Sequence, residues 1–469
     1  PWAALPWLVG LADRALRRGG WRHPAAFALV VLAVGGVNVT ALVFAGLGPV
    51  LWFPFAVANR EATWRRALAT VARLGLLTAV VSLWGVVGLA VQGRYGIPIL
   101  RYTETVAAVS RTSLASEVMR GLGYWFFYGN DKLGPWIEPA VAYTQHPWLL
   151  ATSFAIPVAA LAAATFLRWR HRAYCITLIA AGALIAVGAH PYDDPSPLGR
   201  VFKGFATSST VGLALRSTPR AVPLIALGMA LLLGAAISDI GGRAPAAGVV
   251  AAGLVGVLAV ANLPPLFTGD LAVGKAISRP EALPSYWYDA ARYLGRRGDA
   301  TRVLELPGSD FAAYRWGNTI DPVTPYLMER PYVARELIPY GTAGSADLLN
   351  ALDRRLQEGV FEPSSLAPLA RLMGVGDVVL RNDLEYERYR TPRPKALWRQ
   401  FSPPPQGLGA PVGFGPGKPN RSRASMPLVD EVALGTPASV PDPPEVAAFG
   451  VDDPVPIVRA AADGGQTIV

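Results

Sequence analysis

A single cysteine in 469 residues removes a disulfide framework and a thiolate metal site from consideration. Cys175 lies inside an apolar run, where a free thiol packs as a small hydrophobe. No Gly-rich phosphate loop follows a strand, and there is no HExxH and no CxxC, so the common nucleotide-binding and zinc-hydrolase signatures are absent. The chain begins at Pro1 without the basic n-region and short apolar h-region of a signal peptide. Its end, Gly464-Gly465-Gln466-Thr467-Ile468-Val469, reads as the entry to another strand, and the chain is expected to be a piece of a longer protein. Charge is scarce as well, at 16% of residues against roughly 25% in soluble domains.

What remains is apolar. Hydrophobic residues make up 52% of the chain, and the long runs lie almost wholly before Pro264. That pattern predicts a polytopic α-helical membrane domain over residues 1–263, followed by a soluble domain. The net charge of +10 does not point to nucleic acid, because the arginines cluster at the ends of apolar runs, where they set orientation in a bilayer.

Residues 1–24 combine Trp2, Trp7 and Trp21 with Arg14, Arg17, Arg18 and Arg22, as at the end of a span or in an interfacial helix. Residues 25–58 are nearly all apolar, too long for one upright helix, and are interrupted by Gly35, Gly36, Asn38 and Thr40. Both flanks are basic, which predicts a hairpin of two short helices; a long tilted helix is the alternative. Further spans are expected over residues 69–91, 148–167, 173–188, 223–240 and 245–263. This scheme puts twelve arginines (14, 17, 18, 22, 60, 65, 66, 73, 168, 170, 172 and 243) on the inner side. Polar loops 93–147 and 191–221, and everything after Pro264, then fall on the outer side.

After Pro264 the pattern changes to that of a small α/β domain over residues 264–390. Arg302-Val303-Leu304-Glu305-Leu306 and Asp377-Val378-Val379-Leu380-Arg381 read as strands. Ser345 is the expected cap of a helix carrying Leu349, Leu352 and Leu356, stopped by Gly359; a second helix carries Leu366, Leu369 and Leu372 and stops at Gly374. Residues 391–469, rich in Pro and Gly, read as a linker leading into β structure, with a short strand over residues 428–434.

The chemistry must lie in polar groups beside the membrane, which are costly there unless they face a cavity or a partner. Glu104 has Arg101 and Arg111 as the expected ion-pair partners. The aromatic run Tyr124-Trp125-Phe126-Phe127-Tyr128 suits either stacking on sugar faces or an interfacial belt. His190, Asp193 and Asp194 carry oxygen and imidazole donors, but Pro191 and Pro195 make a polar turn the preferred reading, and no metal is expected. Arg200, Lys203, Arg216 and Arg220 are outer-side cations that suit a lipid-linked phosphate or anionic headgroups equally. Arg216 and Arg220, four apart, are expected on one helix face at the aqueous interface, with Lys203 folding back over them. Asn38-Val39-Thr40 matches a glycosylation acceptor, but within an apolar run it is dismissed.

Three stretches carry a resemblance: Gly35-Gly36-Val37-Asn38-Val39-Thr40-Ala41; Tyr102-Thr103-Glu104-Thr105 with Gly121-Leu122-Gly123-Tyr124-Trp125-Phe126-Phe127-Tyr128-Gly129; and Gly212-Leu213-Ala214-Leu215-Arg216-Ser217-Thr218-Pro219-Arg220-Ala221. They resemble the membrane core of the α-(1→3)-arabinofuranosyltransferase family of GT-C membrane glycosyltransferases. Tyr286-Trp287, Arg315-Trp316-Gly317 and Leu380-Arg381-Asn382-Asp383 are similar to the region that follows it in that family. The resemblance implies the later half of a GT-C membrane domain and an outer-face α/β domain. It implies a decaprenylphosphoryl-arabinofuranose-like lipid donor and an arabinan acceptor of arabinogalactan or lipoarabinomannan, in the plasma membrane; no cofactor is assigned. The family's catalytic aspartate is expected upstream of Pro1, so this piece alone is expected to be inactive. Among the residues here, Lys203, Arg216 and Arg220 are expected to bind the donor phosphate, and Tyr102, Glu104, Trp125 and Tyr128 the sugar. The rival class is a non-catalytic membrane scaffold or transporter that binds glycopolymer or lipid-linked sugar.

Overall fold

The computed structural model describes residues 1–131, 134–269, 282–338, 341–389, 391–421 and 435–459. The chain divides into two compact units, one of Pro1–Gly129 with Pro135–Ala272, the other of Asn130–Gly134 with Val273–Val469.

The first unit is helical. Its order is α1 (Ala4–Arg18), α2 (Arg22–Gly35), α3 (Val39–Ala58), α4 (Trp64–Tyr95), α5 (Val106–Thr112), α6 (Ala115–Met119) and α7 (Pro139–Gln145). There follow α8 (Pro147–Phe166), α9 (Arg172–Val187), α10 (Pro197–Ser208), α11 (Thr210–Ala214), α12 (Val222–Arg243) and α13 (Pro245–Ala261). Among the described residues four helical stretches, Val39–Ala58, Trp64–Tyr95, Pro147–Phe166 and Thr218–Arg243, are long and apolar enough to cross a membrane; α2, α9 and α13 are shorter apolar helices. The unit is a multi-pass membrane region.

The apolar run of residues 25–58 is two helices, not one. Gly36 and Val37 leave the helix, and Asn38 restarts it by accepting the Ala41 N–H at 2.9 Å, which satisfies one of the orphan donors of a helix start. The two helices form the expected hairpin. At one end Glu61, just past α3, accepts Arg17 Nη2 at 2.6 Å and pairs with Arg170 and with His171 Nε2 at 3.1 Å. Arg66 at the start of α4 reaches the Arg17 carbonyl at the same end. Three of the basic clusters therefore meet around one carboxylate, while Asn38 lies at the opposite end of α3.

Between membrane helices the hydrophobic effect offers little, so close packing needs small residues. Gly182 of α9 and Gly228 of α12 supply them. A Cβ on Gly182 would come within 2.8 Å of Ile225 Cγ1, and one on Gly228 within 2.7 Å of Ile179 Cγ1 and 2.8 Å of the Cys175 carbonyl oxygen. Cys175 is fully buried in this contact.

The second unit holds a five-stranded sheet in the order Tyr332–Ala334, Arg302–Leu306, Val375–Arg381, Val446–Gly450, Val412–Phe414. The first three strands are parallel, and Val446–Gly450 runs antiparallel to both its neighbours. Val375–Arg381 is buried along its whole length, as a strand covered on both faces should be. The helix expected from Ser345 begins earlier, at Ala343, because Thr342 is the cap and accepts the Ser345 N–H at 3.3 Å. The region read as a linker contains Val446–Gly450, which completes the sheet core; its Val-Ala-Ala-Phe-Gly is too short and small-sided to stand out as a strand in sequence. The strand expected over residues 428–434, and the chain end at 464–469, lie outside the described residues.

Two separated stretches of this unit converge on Asp383. Its Oδ2 accepts Trp316 Nε1 at 2.7 Å, Trp287 Nε1 at 2.9 Å and the Tyr286 hydroxyl at 3.0 Å. Burial raises the Asp383 carboxyl, and although the three donors oppose the rise it stands at about 6.

Replacing Gly228 by Val puts a branched side chain into the α9–α12 contact. Overpacking of this kind costs about 1–3 kcal/mol. Thermal unfolding in detergent should show the loss; an unchanged midpoint would mean that α9 and α12 separate without penalty.

Candidate active site

One polar cluster of the first unit gathers near the end of α3 that starts at Asn38. Thr105 caps α5 by accepting the Ala108 N–H at 3.1 Å, which sets the backbone of Thr103 and Glu104 just ahead of it. On the other side of the site, Ser209 caps α11 by accepting the Gly212 N–H at 2.9 Å. Gly212 allows α11 to fold tightly on α10, since a Cβ there would lie 2.2 Å from the Phe205 carbonyl oxygen. This turn delivers Arg216 to Glu104.

Arg216 is held on every side. Its Nε donates to the Glu104 carbonyl at 2.5 Å, its Nη1 to the Leu213 carbonyl at 2.6 Å, and its Nη2 to Thr103 Oγ1. The same Nη2 lies 3.3 Å from Glu104 Oε2, and Ser217 Oγ donates to Glu104 Oε1 at 2.6 Å. The Arg216 side chain is 4% exposed and that of Glu104 12%. Two expectations are corrected here. Glu104 pairs with Arg216 rather than with Arg101 or Arg111, and Arg216 is not at the aqueous interface.

Arg220 has a different setting. It sits in the 3-10 turn Thr218–Ala221, not on a helix face shared with Arg216. Proline at 219 and the tight turn before α12 prevent the helix that a four-residue spacing implied. Arg220 Nη1 donates to Thr40 Oγ1 and, at 3.3 Å, to Asn38 Oδ1. Among the described residues no carboxylate pairs with it. The Asn38-Val39-Thr40 stretch dismissed in sequence thus acts as both a helix cap and a seat for a cation. A polar pair within an apolar run was the signal for it.

The other expected site residues lie elsewhere. Lys203 does not fold over the arginines: its Nζ donates to the Tyr192 carbonyl at 2.8 Å and sits 3.9 Å above the Tyr192 ring. Tyr128 belongs to a second network, with its hydroxyl donating to Glu117 Oε2 at 2.6 Å and accepting the Gly123 N–H at 3.1 Å. Arg120 completes that network, donating to Glu117 Oε1 at 2.6 Å and to Ser153 Oγ at 2.7 Å. Trp125 packs edge-on against Trp136 and Phe126, and Tyr102 is half-buried at the end of the turn before Glu104. His190 Nδ1 bonds the Ser110 carbonyl at 2.8 Å. Among the described residues no group of three His, Cys, Asp or Glu side chains is gathered to hold a metal ion.

Three comparisons bear on this arrangement. The family model described as alpha-(1->3)-arabinofuranosyltransferase, N-terminal GT-C domain, matches residues 1–459. The alpha-(1->3)-arabinofuranosyltransferase of Mycobacterium tuberculosis is 29% identical over all of this chain and 34% of its own length. That of Mycolicibacterium smegmatis is 29% identical over 88% of this chain and 30% of its own. The chain thus spans about a third of the length of these relatives. In fold it is similar to a cryo-EM structure of arabinofuranosyltransferase AftD from Mycobacteria, with a TM-score of 0.63, 22% identity, and coverage of 92% of this chain and 27% of that one. A mutant of the same protein gives a TM-score of 0.67 at 21% identity, covering 97% of this chain and 31% of that one.

The burial of Arg216 predicts a stability effect. Arg216→Ala leaves Glu104 buried without its counter-charge, which costs about 3–5 kcal/mol. The double variant Arg216→Met, Glu104→Gln, which removes both charges, should recover much of that loss. Thermal unfolding of the purified protein in detergent measures both; equal destabilisation in the two would show that the pair is not the source.

Proposed function

Since the chain belongs to the alpha-(1->3)-arabinofuranosyltransferase family, we propose that it forms the membrane part of an enzyme that moves arabinofuranose from a polyprenyl-phosphate donor to a cell-wall arabinan. The observation that carries this reading is Arg220, a cation at the membrane end of the site that no described carboxylate neutralises. A phosphate is the anion such a guanidinium fits, because two of its N–H groups match two phosphate oxygens.

The reaction is a displacement at the anomeric carbon. The acceptor hydroxyl oxygen forms the new C–O bond, and the bond to the phosphate oxygen breaks with its electron pair leaving on phosphate. A carboxylate takes the acceptor proton as general base. Arg220 stabilises the charge that grows on the departing phosphate. Arg216 acts through Glu104: by fixing that carboxylate with Ser217, it holds an acceptor oriented toward sugar hydroxyls. Tyr102, two residues ahead of Glu104, would add a sugar contact, whereas Trp125 and Tyr128 pack against Trp136 and Glu117 instead. The site is assigned to the outer face of the plasma membrane, because Arg17, Arg66 and Arg170 cluster at the opposite end of α3 from Asn38.

Arg220→Ala in the full-length protein should weaken donor binding by roughly 1.5–3 kcal/mol, about ten- to a hundred-fold, as for a lost hydrogen bond to a charged group. Transfer of labelled arabinofuranose and donor binding, with thermal unfolding as the control for folding, make the measurement. Unchanged donor binding would remove Arg220 from the phosphate site. The orientation has its own check. A single cysteine placed at Ser116 should react with an impermeant maleimide on intact cells, and one at Arg65 should not, Cys175 being buried. The reverse pattern would turn the site to the inner face.

A further inference from the structure

We infer that the second unit holds one neutral sugar ring of a glycan in a small polar pocket between the strand Tyr332–Ala334 and the helix Ala343–Gln357. Taking that ring as an arabinofuranose of the acceptor chain rests on the function proposed above; the pocket itself asks only for a neutral polyol.

Tyr332–Ala334 is the edge of the five-stranded sheet and runs parallel to its neighbour, Arg302–Leu306. In open α/β sheets ligands bind outside the carboxyl ends of such strands, and here that end leads into Arg335 and Glu336. Tyr332, Arg335 and Glu336 line one wall of the pocket, and Ser345, Leu349 and Asn350 of the helix line the other. The space they leave is about 180 Å³. Pockets for drug-sized ligands begin at roughly 300 Å³, so this one suits a single ring rather than a nucleotide or a peptide.

Charge selects the occupant. Arg335 is already neutralised: its Nη1 pairs with Asp310, its Nη2 lies 2.8 Å from Asp353 Oδ2, and its Nε donates to the same oxygen at 3.0 Å. Glu336 is only partly ionised at neutral pH. Burial, with Asp321 and Glu305 nearby, pushes its carboxyl up to about 7, against the pull of Arg381 and of a hydrogen bond from the Tyr332 hydroxyl. The helix wall adds no charged side chain to the lining. Among the described residues the pocket therefore offers a carboxyl, an amide and hydroxyls beside the Tyr332 ring and Leu349, with no cation left for a phosphate. Sugar hydroxyls both donate and accept, and sugar C–H faces pack on aromatic and apolar surface, so a neutral sugar is the complement. A ring laid over Glu336 takes more water from its carboxyl and favours the protonated form further. Binding is thus tightest below pH 7 and weakens as the pH rises through it.

The test is calorimetric titration of the full chain in nanodiscs with two probes, an α-arabinofuranosyl and an α-mannosyl tetrasaccharide. Wild type should bind the arabinofuranosyl probe several-fold more tightly at about pH 6 than at about pH 8. Asn350→Trp fills the pocket from an exposed helix position and should lower the affinity about tenfold or more, with thermal unfolding as the control for folding. Glu336→Gln keeps the neutral shape at every pH, so it should retain the affinity and lose its pH dependence, which a merely structural change would not do. Absence of binding of both probes by wild type, or wild-type binding by Asn350→Trp, would overturn the pocket. A wild-type pH profile in Glu336→Gln would remove Glu336 from it. Binding of the mannosyl probe alone, lost in Asn350→Trp, would keep the sugar pocket and overturn the arabinan reading instead.

Discussion

The Glu104–Arg216 ion pair ties together two loops that are 112 residues apart, and the polar end of the membrane unit is arranged around it. A charge placed beside hydrocarbon is tolerable only with its partner and its remaining hydrogen bonds in place. Arg216 meets that condition through the Glu104 and Leu213 carbonyls and Thr103, and Glu104 meets it through Ser217. The next residue, Thr218, donates to the Ala186 carbonyl at the end of α9, at 3.1 Å. The pair thereby also sets where α12 enters the membrane. Arg220 seats instead on Asn38 and Thr40, with no carboxylate paired to it among the described residues.

The helices below this layer divide between tight and open packing, and the division follows side-chain size. Gly182 and Gly228 let α9 and α12 approach until backbone and side chain touch, whereas α4 buries only Ala67, Thr70 and Leu74 and turns the rest of its apolar surface outward. Where two apolar faces stop short of contact, as between α9 and α10, a groove remains. In a bilayer such a groove is filled by hydrocarbon without the penalty that water would impose.

The second unit obeys the economy of a soluble core. Buried polar groups there must find partners within the protein, and Asp383 does so by drawing Tyr286, Trp287 and Trp316 to one oxygen. Residues that read in sequence as three unrelated matches to one family are in space a single hydrogen-bonded cluster.

Most of the helices were legible in the sequence, because a span of about twenty apolar residues has few ways to satisfy its backbone other than as a helix. The break at Gly36 was legible too, since equal basic flanks and a polar pair within an apolar run leave little else. The parallel strands around Arg302 and Val378 showed themselves as apolar runs for the same reason of burial. Pairing was not legible. Nothing in the spacing of Arg216 and Arg220 says that one closes on Glu104 while the other seats on Asn38 and Thr40, and nothing in Val446–Gly450 marks it as the neighbour of Val375–Arg381. Periodicity and hydropathy are properties of neighbours along the chain. Ion pairs, strand order and the space left between two helix faces depend on residues from separate parts of the chain, and only the folded arrangement decides them.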